Sequence, residues 1–141
     1  MQRVSEASVS IDQQTISSIG TGLLILVGAA GDDNELSARS LSQKIAKLRI
    51  FPDGDNKMNR SLLDIGGSAL VVSQFTLLAD LSRGNRPSFV GAARPEVAEP
   101  LIEVFSEELE KLGIDVEHGR FGASMQIDLV NDGPVTIVLD S

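Results

Sequence analysis

At 141 residues and 42% hydrophobic content, the chain suits one domain, residues 1–141, with a core that needs no metal or disulfide staple. It contains no cysteine, which excludes a disulfide framework, a thiolate nucleophile and a cysteine zinc site, and fits a reducing cytosol. A formal net charge of −8 argues against a protein that wraps nucleic-acid phosphate, and the longest apolar run, Leu23 to Ala30, is too short to span a bilayer. With no basic, apolar leader at the start, the expectation is a soluble cytoplasmic protein without a membrane or DNA partner.

Val4, Val9 and Ile11 mark an opening strand, and Gly20 to Gly22 forms a turn before the buried-type strand Leu23-Leu24-Ile25-Leu26-Val27. Asp32, Asp33 and Asn34 offer capping oxygens to a helix whose apolar face is Ala38, Leu41, Ile45 and Leu48. Phe51 to Asn56 is rich in turn formers, and a strand from Ala69 is expected to run on through Ser73-Gln74-Phe75-Thr76-Leu77. A second helix starts near Pro95, presents Val97, Leu101, Val104, Phe105, Leu109 and Leu112, and is capped by Gly113. Three short strands close the chain: Ile114 to Val116, Met125 to Val130, and Val135 to Leu139. The fold class read from this order is α+β, a mostly antiparallel sheet or barrel with two main helices.

Charge changes sign along the chain. Residues 1 to 38 sum to −4, residues 39 to 94 to +5 and residues 95 to 141 to −9, and the run from Leu81 to Arg94 holds no acid. That distribution suits either a local anion-binding face or scattered solvated charges.

Familiar catalytic sets are missing. His118 is the only imidazole, so a Ser-His-Asp triad would have to use it, and no histidine pair exists for a usual catalytic zinc site. Gly20-Thr21-Gly22 and Gly66-Gly67 lack a phosphate-loop context. No metal and no cofactor is expected, and any chemistry falls to backbone groups, hydroxyls and the substrate. Asn131-Asp132-Gly133-Pro134-Val135-Thr136 is the most distinctive segment. Gly133 lets another backbone approach closely and Pro134 stiffens the chain, although the hexapeptide alone reads as an ordinary turn.

Two segments together resemble a known family. Ser73-Gln74-Phe75-Thr76-Leu77 is similar to the SQFTL signature, and Asn131 to Thr136 to the NxGPVT signature, of D-aminoacyl-tRNA deacylases. Lys44 to Phe51, Lys57-Met58-Asn59, Arg86 to Phe89 and Gly119 to Ala123 match as well, so the resemblance spans essentially the whole chain. Family members usually carry several more residues ahead of the segment seen here as Gln2-Arg3-Val4, which implies a shortened first strand.

The resemblance implies hydrolysis of the ester joining a D-amino acid to the 3′-terminal adenosine of tRNA, with glycine, being achiral, as a possible second substrate. It implies a homodimer in which a Gly-cisPro pair, Gly133 and Pro134, reaches into the partner's site and excludes L-amino acids by main chain alone. Backbone N–H groups around Phe75 and Thr76 are implied as oxyanion donors, Gln74 as a positioning group and Ser73 as support for the strand end. The terminal ribose 2′-hydroxyl is implied as the group that activates water, with Thr76 as a nucleophile the lesser alternative. Phe121 and Met125 are implied to line an adenine pocket and Arg3 to orient the Gly-Pro loop beside Asn131. By their charge the arginines from Arg83 to Arg94 offer phosphate contacts near the acceptor end of such a substrate. Without the resemblance, Ser73 and Thr76 read as strand residues bonding nearby backbone, and Met125 as core.

Overall fold

The computed structural model describes residues 1–141. Its first half is built from β1 (Gln2–Ile11), β2 (Gln14–Ile19), β3 (Gly22–Val27), α1 (Glu35–Lys47), β4 (Phe51–Pro52), β5 (Met58–Arg60) and α2 (Leu62–Ile65). Then come β6 (Ser68–Ser73), a 3-10 turn (Phe75–Leu78), α3 (Pro95–Lys111), β7 (Asp115–His118) and β8 (Gln126–Thr136). The main sheet runs β2-β1-β3-β6-β7, with β8 paired to β1, while β4 and β5 form a small separate ribbon. Pairings of β1 with β2, β3 and β8 are antiparallel, but β3 with β6 and β6 with β7 are parallel. The sheet is therefore mixed, with three of its five pairings antiparallel and the two that involve β6 parallel. The Ser17 hydroxyl donates to the His118 carbonyl at 2.8 Å, across the open side, so the curled sheet is nearly closed.

Side-chain alternation along β3 and β6 explains both their composition and the position of the core. Leu23, Ile25, Ala69 and Val71 face α1 and α3, where they meet Ile45, Ala46, Phe105 and Leu109. Leu24, Leu70 and Val72 point into the curl of the sheet, against Val4, Ala7, Val9 and Ile19. Both faces are buried, so these parallel strands read as unbroken apolar runs.

Helix signals were largely legible. Asn34 caps α1, its Oδ1 accepting from the Ser37 N–H at 3.1 Å, and Ala38, Leu41 and Leu48 pack against the helix-side core. Pro95 opens α3, and Gly113 follows it at φ +95°, where a residue with a Cβ is strained. Phe105 and Leu109 of α3 are buried and Leu112 packs against the same core, as expected; in its first two turns the inward positions are Ala98 and Ile102, one residue on from Val97 and Leu101, and Val97 is 47% exposed. β2 escaped the sequence reading. Its hairpin turn places Asp12 and Gln13 at φ 49° and 65° without a glycine to signal it.

Two further expectations change. β6 ends at Ser73, and Gln74 (φ −145°, ψ 79°) turns the chain into the 3-10 turn, so Phe75 to Leu77 are not strand. The two closing strands around the Gly-Pro segment are one. Between the pairs Val4↔Asn131 and Gln2↔Thr136, β1 advances two residues and β8 five, so the surplus is expelled as a bulge that carries Gly133 and Pro134. β1 is ten residues long. Main-chain bonds tie Met1 to Ile137 in both directions, at 2.8 and 2.9 Å. No helix is long and apolar enough to cross a membrane.

Candidate active site

β3 and β6 run parallel and end together, with Val27 opposite Ser73, and the Gln74 N–H extends the ladder by bonding the Val27 carbonyl at 2.8 Å. The next residue, Gly28, lies under the turn: a Cβ there would come within 2.8 Å of the Gln74 oxygen and 2.6 Å of Leu78 Cδ2. Its missing side chain lets the 3-10 turn settle onto the end of β3.

The loop before α3 folds over the same edge. It is fastened by the bridges Asp80↔Ser88 and Ala30↔Ala92 and by the Ala93 N–H on the Ala29 carbonyl at 2.9 Å. Phe89 then meets Phe75 edge-on, ring centroids 4.9 Å apart at 70°. The connection from β7 to β8 brings Phe121 and Met125 to the opposite wall, where the Arg120 N–H approaches Met125 Sδ at 3.3 Å.

Between these walls lies a cleft of about 540 Å³, in which Ser73, Gln74, Phe75, Phe121 and Met125 come together with Gly28, Phe89, Ala98 and Ile102. No ionisable side chain lines it. His118 is exposed at the end of β7 and is not part of the wall. Thr76 sits one residue beyond the lining, exposed, and its hydroxyl accepts from the Gln74 amide. The first bonded amide of the turn is Leu77, on the Gln74 carbonyl at 3.3 Å, so the turn itself offers no acceptor to the N–H groups of Phe75 and Thr76. Asp80 has its carboxyl held below the usual range by the Ser82 hydroxyl and N–H, which stiffens the loop beyond the cleft.

The remaining candidates form a second, separate cluster. Arg3, although 8% exposed, donates from Nε to the Asp132 carbonyl at 2.9 Å and from a terminal nitrogen to the Ile50 carbonyl at 2.7 Å. Asn131 braces the bulge from inside: its Oδ1 accepts from the Val135 N–H at 2.8 Å and its amide donates to the Thr136 hydroxyl at 2.9 Å. Gly133 has φ +142°, Gly133–Pro134 is cis, and both residues are exposed. None of Arg3, Asn131, Gly133 and Pro134 lines the cleft of its own chain.

Gly28, Phe89 and the small residues Ala92 and Ala93 were not singled out from the sequence. Their signal is weak: small residues that interrupt apolar patterns where another backbone must approach.

Comparison with known proteins decides the family. Residues 1–140 match the family described as D-Tyr-tRNA(Tyr) deacylase. The chain belongs to this family. A D-aminoacyl-tRNA deacylase of Roseiflexus castenholzii is 62% identical over 141 residues, all of this chain and 90% of that protein. One of Dinoroseobacter shibae is 56% identical over 99% of this chain and 97% of the relative. Among solved structures, a protein described as c-Myc DNA unwinding element binding protein superposes with TM-score 0.92 at 40% identity, covering 99% of this chain and 95% of that one. A probable eukaryotic D-amino acid tRNA deacylase superposes with TM-score 0.80 at 16% identity over 94% and 92% of the two chains, a likeness of fold.

Proposed function

We propose that the chain, acting as one unit over residues 1–141, hydrolyses the ester bond of D-aminoacyl-tRNA. Water adds to the ester carbonyl, the bond to the ribose 3′-oxygen breaks, that oxygen takes the proton, and free D-amino acid and tRNA leave. The observation that carries this reading is the uncharged cleft at the joint end of β3 and β6, where amide and main-chain donors stand beside Phe75, Phe121 and Met125. Family membership supports it.

In this reading the N–H groups of Phe75 and Thr76 receive the developing oxyanion, Gln74 positions substrate or water, and Ser73 anchors the turn. No base stands in the cleft wall to activate the Thr76 hydroxyl, so the 2′-hydroxyl of the terminal ribose orients the attacking water. Phe121 and Met125 take the adenine by stacking and packing.

Chirality is read by main chain supplied from a second copy. The Gly133-Pro134 bulge is exposed, braced by Arg3 and Asn131, and absent from its own cleft, which suits a homodimer in which each loop enters the partner's site. Supporting this, β8 pairs only with β1 and leaves its other edge open, with Leu129 and Val130 exposed. A wall of backbone excludes an L side chain, tolerates many D side chains and admits glycine.

Matched D- and L-aminoacyl-tRNA provide the test: release of the D-amino acid alone, with glycine also released, is expected. Equal release of both enantiomers would remove the chirality claim, and release of neither would leave a noncatalytic binding dimer as the better reading. Undiminished turnover of a tRNA ending in 2′-deoxyadenosine would exclude the hydroxyl. Thr76→Ala is expected to keep most activity, and its complete loss would restore the nucleophile.

A further inference from the structure

The eight arginines fall into two groups of four. Arg3, Arg39, Arg49 and Arg60 are committed to the fold, each side chain donating to a carbonyl or carboxylate elsewhere in the chain. The guanidinium groups of Arg83, Arg86, Arg94 and Arg120 make no ion pair, and all four residues are exposed.

All four belong to the two connections that supply walls of the cleft, the loop before α3 and the segment between β7 and β8. Arg94 lies between the lining residues Ala93 and Pro95, Arg120 adjoins Phe121, and Arg86 and Arg83 belong to the loop closed by the Asp80↔Ser88 bridge, just ahead of Phe89. Asp80, the acid at the base of that loop, is turned onto Ser82, and Glu96 in the first turn of α3 makes no ion pair with Arg94. A protein with net charge −8 thus carries its four unpaired guanidinium groups on the two connections that wall an uncharged cavity. Arginine presents a planar fork matched to phosphate oxygens, and such contacts position a polynucleotide without reading its bases.

We propose that Arg83, Arg86, Arg94 and Arg120 form a phosphate-binding rim that holds the polyribonucleotide backbone leading into the cleft. This rests on the deacylase reading of the cleft. It adds that affinity for the tRNA body comes from this rim and is independent of sequence.

The test compares three variants with the unmodified protein: Arg83→Gln with Arg86→Gln, Arg94→Gln with Arg120→Gln, and, as a charge-matched control, Lys44→Gln with Lys47→Gln on α1. Affinity for deacylated tRNA is measured from low to moderate salt, and KM is measured for a D-aminoacyl-tRNA and for the corresponding D-aminoacyl-adenosine, which has no phosphate. Each arginine pair is expected to weaken tRNA binding on the order of tenfold at low salt and to lower the log–log salt slope by roughly 0.7 to 0.9 per arginine. The lysine pair is expected to leave that slope in place, and KM for the adenosine ester is expected to rise in neither arginine variant.

An unchanged slope in the arginine variants, or an equal change in the lysine control, would overturn the rim. Equal KM increases for both esters would place these arginines in the cleft rather than on the RNA path and would also overturn it. Duplex DNA competing as well as tRNA would overturn the assignment to RNA. Hydrolysis of neither ester by the unmodified protein would instead remove the deacylase reading, whatever the slopes.

Discussion

Arg3 shows how one side chain joins stability to the candidate site. Its guanidinium satisfies the buried Ile50 carbonyl and, through Asp132, holds the base of the Gly133-Pro134 bulge. Arg3→Met leaves both carbonyls without that donor, and a cost of about 1–3 kcal/mol is expected from urea unfolding. Arg3→Lys recovers only part of it, because a single ammonium cannot reproduce the fork. Gly28 makes the opposite case, a residue that matters through what it lacks. In Gly28→Ala the new methyl meets the Gln74 carbonyl, a main-chain atom that cannot swing aside, so the turn bearing Phe75 and Thr76 must shift. A displacement of that size is expected to lower kcat on D-aminoacyl-tRNA on the order of a hundredfold. A variant with unaltered kcat would show that the turn does not need this close approach.

The elements with strong local signals were those the sequence announced. Asn34, Pro95 and Gly113 stand at helix ends where capping chemistry calls for them, and Leu23 to Val27 is apolar throughout because both its faces are buried. β2 was missed because its residues are mostly polar and its turn is made by Asp12 and Gln13. The extension of β6 through Leu77 failed for a different reason: Phe75 and Leu77 look like strand residues, but 55% and 57% of their surfaces remain exposed on a 3-10 turn shaped by the neighbouring loop. Tertiary contacts decided that segment. Of the candidate residues, those in the two signatures were legible by resemblance, whereas Phe89 and Gly28 depend on a loop closing over the sheet edge, which no local pattern encodes.

Acid sensitivity also belongs to elements. Glu108 on α3 is held below the ordinary carboxylate range by the Gln43 amide and by Arg39, both on α1; Asp64 is lowered by Ser61 at the start of α2, and Asp53 by Asn59 across the β4–β5 ribbon. Folded values below unfolded ones mean that the stabilisation is complete above the unfolded range and is lost as pH falls through the folded one. Tm is therefore expected to hold steady down to about pH 5 and to fall below about pH 4. Glu108→Gln should flatten part of that fall in thermal melts, and an unchanged acid limb would show that the helix-to-helix tie contributes nothing.

At the scale of the molecule, cleft and bulge belong to different parts of one surface, and the proposed dimer makes each complete the other. Subunit mixing tests this. Gly133→Val has an intact cleft, but its side chain is strained at φ +142° and meets Val135 and Arg3; Phe75→Ala has an intact bulge. Each alone is expected to be inactive, and an equilibrated equimolar mixture is expected to regain about a quarter of full activity, because half the dimers are mixed and each holds one complete site. No recovery, with mixed dimers verified by mass, would show that each chain works with its own loop.

The loop closed by Asp80 and Ser88 also has a practical consequence. Within it Pro87 follows Arg86, so Arg83–Gly84 is the one peptide bond there that trypsin readily accepts, on an exposed tip of the kind proteases select. A single nick would divide the chain after residue 83, yet every ladder between β6 and its neighbours would persist and the two fragments would stay together as a clipped but folded particle. Slower clipping in the presence of tRNA would then report, on a simple gel, which side of the protein the nucleic acid covers.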